Sequence, residues 1–149
     1  MTKEMIVFFT AMMPISELRG AIPLGINLGM EPMNSFILSV IGNLIIVPIL
    51  LLIVRPIFTY FKTLKRVRDW INKYEERAAG KVKNYRKFRL LGLFLLVAVP
   101  VPTTGVYTGV VAANVLQIRF KNAWLAISLG VISAGVIVYM ISLNIIHLL

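Results

Sequence analysis

The 149-residue chain contains no cysteine and a single histidine, His147. Disulfides, thiolate metal sites and a cysteine nucleophile are therefore excluded, and one histidine near the end of the chain builds no histidine cluster. Charge is scarce too, at 15% of residues, whereas a soluble globular chain carries about a quarter. Hydrophobic residues make up 58%. This balance excludes an ordinary soluble domain, and an enzyme with familiar side-chain chemistry is not expected. No cofactor and no metal are expected either. A single domain, residues 1–149, is the natural division. A chain this short cannot enclose a wide pore alone, so a homodimer is expected.

What charge there is has mostly one sign and one place. The net charge is +10, and twelve of the sixteen lysines and arginines lie between Arg55 and Arg89. Long uncharged runs flank this block. Cytoplasmic loops of membrane proteins collect Lys and Arg, and such a loop also meets anionic lipid headgroups. Membrane lipids are thus the expected partners, and nucleic acid is not. The start of the chain, Lys3 followed by the apolar run Met5 to Met13, is not read as a secretion signal. Glu4 adjoins the lysine, and Glu17 and Arg19 follow with no small-residue cleavage site.

Four apolar regions remain: 5–30, 33–54, 90–116 and 123–147. A spanning helix needs roughly 20 apolar residues. The second and fourth regions satisfy this without a Lys, Arg, Asp or Glu. Pro48 is tolerable in the second, because neighbouring helices can satisfy a freed carbonyl. The first and third are interrupted near their middles, by Pro14-Ile-Ser-Glu-Leu-Arg-Gly-Ala-Ile-Pro23 and by Pro100-Val-Pro-Thr-Thr-Gly105. Proline lacks an N–H and disfavours helix in the residue before it. Each region is therefore either a kinked spanning helix or a re-entrant hairpin of two half-length helices. Charge favours hairpins: the basic block precedes the third region, and Arg119 and Lys121 follow it. Both its ends should then lie on the cytoplasmic side. Counting outward puts both termini outside the cell membrane and the basic loop inside.

Hairpin plus span occurs twice. Each hairpin carries small residues at four-residue spacing, Ala21, Gly25 and Gly29 in one and Gly105, Gly109 and Ala113 in the other. Such stripes let helices approach closely in lipid. A repeat with one full crossing inverts its successor, so the two hairpins should face each other near the midplane. Between them, Tyr60, Leu64, Val67, Ile71, Tyr74 and Ala78 form one apolar stripe of an amphipathic helix. The expected fold is an all-α membrane protein of two inverted repeats. Each is a re-entrant helical hairpin plus one transmembrane helix, and an amphipathic basic cytoplasmic helix, within 55–89, joins them.

Glu17 and Arg19 are the sharpest signal in the chain. An ionisable residue at membrane depth costs on the order of a few kcal/mol, so it pairs, faces a cavity or serves transport. One reading is a structural ion pair that ties the hairpin together. The other gives the guanidinium of Arg19 an anion, which its planar fork suits, and gives Glu17 a proton to carry. Thr103, Thr104, Tyr107 and Thr108 stand at the opposing tip, either capping half-helices or binding a polar headgroup or ion. Coupling to a proton or to sodium fits this set.

The stretch Pro14 to Pro23 resembles the small multidrug export protein family, in which an E-x-R-G-x-I-P hairpin recurs. Pro100-Val-Pro-Thr-Thr-Gly-Val-Tyr-Thr-Gly109 resembles that family's second signature, P-x-P-x-T-G-x-aromatic-T-G, with Thr103 where its pattern has glycine. The resemblance spans essentially the whole chain. With the polar residues, the two motifs give a candidate substrate-binding or coupling site: Glu17, Arg19, Pro23, Pro100, Pro102, Thr103, Thr104, Gly105, Tyr107 and Thr108. The family looks like a distant branch of the DedA and SNARE-associated Golgi protein superfamily. That kinship implies facing re-entrant hairpins and, for some relatives, movement of lipid phosphates such as undecaprenyl phosphate. The leading expectation is a transporter or flippase for an amphipathic anion, a lipid phosphate. The second is a proton-coupled exporter of small cationic drugs that uses Glu17, and the third is a membrane scaffold that transports nothing.

Overall fold

The computed structural model describes residues 2–79, 85–102 and 104–148. All the regular structure among these residues is helical: α1 (Lys3–Met12), α2 (Glu17–Asn27), α3 (Pro32–Lys62), α4 (Lys65–Ala79), α5 (Tyr85–Ala98), α6 (Val106–Val115) and α7 (Phe120–Leu148). Two of them, α3 and α7, are long and apolar enough to cross a membrane. The core helix of a soluble protein would pass the same test, but it would bury its apolar side chains. Here Ile37, Ile41, Ile45 and Ile49 run down one side of α3, each 42–45% exposed. Leu125, Leu129, Ile132, Val136 and Met140 are likewise exposed on α7. Soluble monomers do not leave continuous apolar faces of this length to water, so the chain is a membrane protein.

The apolar stretch ends at Val54, but helix α3 continues through Pro56 to Lys62. A proline removes one backbone donor, which neighbouring structure can offset, and Arg55 and Lys62 are good helix formers. The basic segment is therefore shared among the end of α3, α4 and the start of α5. On the expected amphipathic stripe, the side chains of Ile71, Tyr74 and Ala78 lie outside the described ones.

In each half a pair of short helices joined at a bend precedes a long one. α1 and α2 fold back on each other, so that Val7 lies against Gly25 and Lys3 beside Gly29. α5 and α6 do the same: Val97 lies against Gly109, and Arg89 Nη1 donates to Leu116 O at 3.2 Å. Both interrupted regions are thus antiparallel helix pairs and neither is one kinked helix. α2 and α6 also end alike. Met30 N–H bonds to Gly25 O at 3.0 Å and Ile118 N–H to Ala113 O at 2.9 Å, around a left-handed residue, Gly29 (φ 76°) or Gln117 (φ 52°). This is the Schellman ending, and it turns the chain into the long helix each time. Pro32 then starts α3 at a position where its missing N–H costs nothing.

Leu18 and Ile22 of α2, Val47 and Leu51 of α3, Leu93 and Val97 of α5, Val110 of α6 and Ile127 of α7 are buried in one shared core. In lipid, burying leucine is no driving force, and close backbone approach takes its place. Gly42 of α3 and Gly130 of α7 supply it. A Cβ at Gly42 would stand 3.0 Å from Phe8 O, and one at Gly130 would stand 3.0 Å from Phe94 O and 2.7 Å from Val97 Cβ. A carbonyl on the backbone cannot swing aside. Gly130→Val is therefore expected to destabilise the protein by about 1–3 kcal/mol, read as thermal unfolding in detergent. An unchanged unfolding temperature would show that α5 and α7 are not this close.

Candidate functional site

The two bends meet, and a cavity of 340 Å³ lies between them. Pro14, Ile15, Ser16, Glu17, Arg19 and Gly20 line it from the first bend, and Pro100, Pro102, Thr104, Tyr107 and Thr108 from the second. Its geometry follows from what two broken helices need at their ends.

Helix α5 stops at Ala98 because Pro100 and Pro102 follow. Its last carbonyls have no partners within the helix. Arg19 supplies them from the other half of the chain. Its Nη2 donates to Val99 O at 3.0 Å, to Val97 O at 3.3 Å and to Thr104 Oγ1 at 3.3 Å, and its Nη1 donates to Val101 O at 2.9 Å. The Thr104 hydroxyl itself lies 2.8 Å from Val99 O and 3.1 Å from Val101 O. A cation at a helix C-terminus also meets the negative end of the dipole.

Glu17 does the converse at the start of α6. Its carboxylate lies against Gly105 and faces the backbone N–H groups of Val106 and Tyr107, donors that a helix leaves free in its first turn. Gly105 is the residue before this turn, and its backbone is extended (φ 166°), a shape open to any residue. Close approach is what demands glycine, since a Cβ at position 105 would run into the Glu17 carboxylate. Glu17 itself sits in the left-handed region, φ 45°. That costs roughly 1–2 kcal/mol for a residue with a side chain.

The ion pair is a loose one. Arg19 Nη1 and Glu17 Oε2 are 3.8 Å apart, longer than a hydrogen bond. Arg19 holds the end of α5 across the bend more closely than it holds Glu17. Gly105 and Tyr107 follow Glu17 and Arg19 by the same 88 positions that separate Gln117 from Gly29. Tyr107 reciprocates Arg19, because its hydroxyl donates to Met12 O, the last carbonyl of α1, at 2.5 Å. Tyr107→Phe removes this one bond and leaves a half-buried carbonyl, so a loss of roughly 1 kcal/mol is expected on unfolding. No change would mean that the ends of α1 and α6 are not tied.

Of the residues singled out from the sequence, Glu17, Arg19, Pro100, Pro102, Thr104, Tyr107 and Thr108 come together on the cavity. Gly105 touches the Glu17 carboxylate without lining the cavity. Pro23 is inside α2 and does not line it. Thr103 lies outside the described residues. The sequence reading missed Pro14, Ile15, Ser16 and Gly20 as lining residues and the carbonyls of Val97, Val99 and Val101 as partners of Arg19. A signal for the carbonyls was present, because prolines after a helix cannot continue it and so leave its last carbonyls without helical donors. Arg19 Nε is buried and has no hydrogen-bond partner among the described residues.

A family model described as "Putative small multi-drug export protein" matches residues 17–137. The match begins at Glu17 and takes in both sides of the cavity. No curated protein and no solved structure matches the chain.

Proposed function

The chain belongs to the small multi-drug export protein family, whose model covers most of its length, and on that footing we propose that it carries an amphipathic anion, a lipid phosphate, across the membrane through the cavity between the bends. The observation that supports this is that the cavity already holds an oxyanion, its own: the Glu17 carboxylate, set against Gly105 and facing the N–H groups of Val106 and Tyr107, with Arg19 beside it. A phosphate oxygen seeks the same donors. When it takes them, Glu17 is displaced beside a second negative charge. Two like charges at that range do not both stay ionised, so Glu17 takes up a proton. Arg19 gains a partner for the Nη1 N–H that faced Glu17 and for its unpaired Nε–H. Release on the other side reverses the exchange. The protein acts as a carrier, with no bond made or broken in its substrate.

The architecture that goes with this reading is a pair of inverted repeats. Each helix pair is re-entrant, its bend near the midplane, and α3 and α7 cross once each. The basic residues from Arg55 to Arg89, with Arg119 and Lys121, are cytoplasmic, both termini are outside with Lys3, Arg19 is within the membrane, and two copies form a homodimer. We take the family to be a distant branch of the DedA superfamily on the strength of the paired bends. Single cysteines at Thr2 and Asn72, in this cysteine-free chain, test the orientation. An impermeant thiol reagent added outside cells should label position 2 and miss position 72, and the opposite pattern would reverse the orientation.

Drug export through Glu17 is the competing reading. It needs a free carboxylate for a cation, whereas this one already faces the backbone donors at the start of α6 and the Arg19 guanidinium. Vesicles containing the protein, assayed for lipid-phosphate movement and for cationic-drug movement, separate the two. Lipid phosphate should move, and Glu17→Gln should remove the dependence of its movement on a proton gradient. Drug-driven proton movement that is abolished by Glu17→Gln, with no lipid phosphate moved by the wild type, would favour the drug.

A further inference from the structure

A second anion site is marked at the other end of α5 and α6. α5 is 14 residues long, so its start lies about 20 Å from the bend. There, a cleft of 520 Å³ opens between the start of α5 and the start of α7, lined by Arg86, Lys87, Arg119 and Lys121 and by the apolar Leu90 and Phe120. The basic residues at this end divide into two groups. Arg55 donates to Ile118 O at 2.8 Å and lies over the Phe120 ring, and Arg89 donates to Leu116 O at 3.2 Å. These two arginines satisfy carbonyls at the end of α6. The four cations of the cleft make no hydrogen bond or ion pair among the described residues. Like charges gathered together repel one another, and among the described residues no carboxylate lines the cleft.

We propose that this cleft binds a phosphate group, that of an anionic membrane lipid, with its glycerol and upper acyl chain against Leu90 and Phe120. Basic pockets between helices at a membrane surface are suited to such headgroups, and Arg119 supplies a fork for two phosphate oxygens. The corresponding end of the first half does not repeat the site. Glu31 stands there in the position of Arg119, and the cleft beside it is lined by Lys3, Glu4 and Glu31. The phosphate site therefore belongs to one face of the protein and is separate from the cavity between the bends.

The test uses the whole protein, delipidated in neutral detergent, so that no charged bilayer attracts the basic surface at large. Phosphatidylglycerol, phosphatidylcholine and inorganic phosphate are titrated separately, with lipids counted by native mass spectrometry. Arg119→Gln/Lys121→Gln should weaken phosphatidylglycerol binding by about tenfold or more. Arg66→Gln/Lys73→Gln, which removes two charges from α4 outside the cleft, should change it by less than about twofold. Phosphatidylcholine should bind weakly in every case. Inorganic phosphate that displaces the lipid at millimolar concentration would assign the same site to free phosphate, and failure to do so assigns it to the lipid. Equal losses in the two double variants, or no phosphatidylglycerol retained by the wild type, would overturn the proposal. Retained thermal stability of both variants keeps the comparison one of binding.

Discussion

Arg19→Gln is expected to destabilise the protein by roughly 3–5 kcal/mol, the range for removing one member of a buried charged network, and to stop lipid-phosphate movement. Three carbonyls, those of Val97, Val99 and Val101, lose their charged donor at once. Glu17 loses the cation 3.8 Å away. Gln retains a single amide group, which cannot reach acceptors on both sides of the break. Arg19→Lys keeps the charge but offers one nitrogen where two now bond to different carbonyls, so it should fall between Gln and wild type in both stability and transport. Thermal unfolding in detergent and flux per folded molecule in vesicles read the two effects apart. An Arg19→Gln protein as stable as wild type would show that the end of α5 is satisfied without it. One that is stable and still moves lipid phosphate would remove Arg19 from the transport reading as well.

Gly105→Ala is expected to cost about 1–3 kcal/mol through overpacking, and the cause can be isolated. The backbone at position 105 is extended, so alanine brings no conformational strain and its methyl meets the Glu17 carboxylate first. In a Glu17→Ala background that obstacle is gone. The same Gly105→Ala change should then cost less than about 1 kcal/mol, giving a coupling between the two positions of roughly 1 kcal/mol or more. Transport should be lost in both backgrounds, because the methyl fills the place that a substrate oxygen must take. Strict additivity of the two changes would mean that Glu17 is not seated on α6.

The sequence made the two long helices legible because each is an uncharged apolar run longer than a bilayer requires. The bends were legible because Pro14, Pro100 and Pro102 interrupt such runs, whereas Pro23 is accommodated inside α2. Glu17 and Arg19 stood out by their cost at membrane depth. Their partners did not, because a backbone carbonyl or N–H carries no residue letter. The sequence offered an ion pair between two near neighbours, whereas the fold brings Arg19 within bonding reach of carbonyls some 80 residues away, sets Glu17 against Gly105 and leaves the pair loose. The demand for glycine at position 105 was equally hidden, since it arises from what lies opposite and not from the backbone. The end of α3 was hidden for a related reason: hydropathy reports where lipid ends, and a helix can run on past that point through Pro56.

The central claim is that a substrate oxyanion and the Glu17 carboxylate compete for one seat at the start of α6. It is tested most directly by counting protons. A soluble, short-chain lipid phosphate is titrated into the detergent-solubilised protein by calorimetry in buffers of different ionisation enthalpy. The account predicts binding accompanied by the uptake of close to one proton per anion, with that uptake absent in Glu17→Gln while binding persists. Binding with no proton uptake in the wild type, or the same uptake in Glu17→Gln, would contradict it.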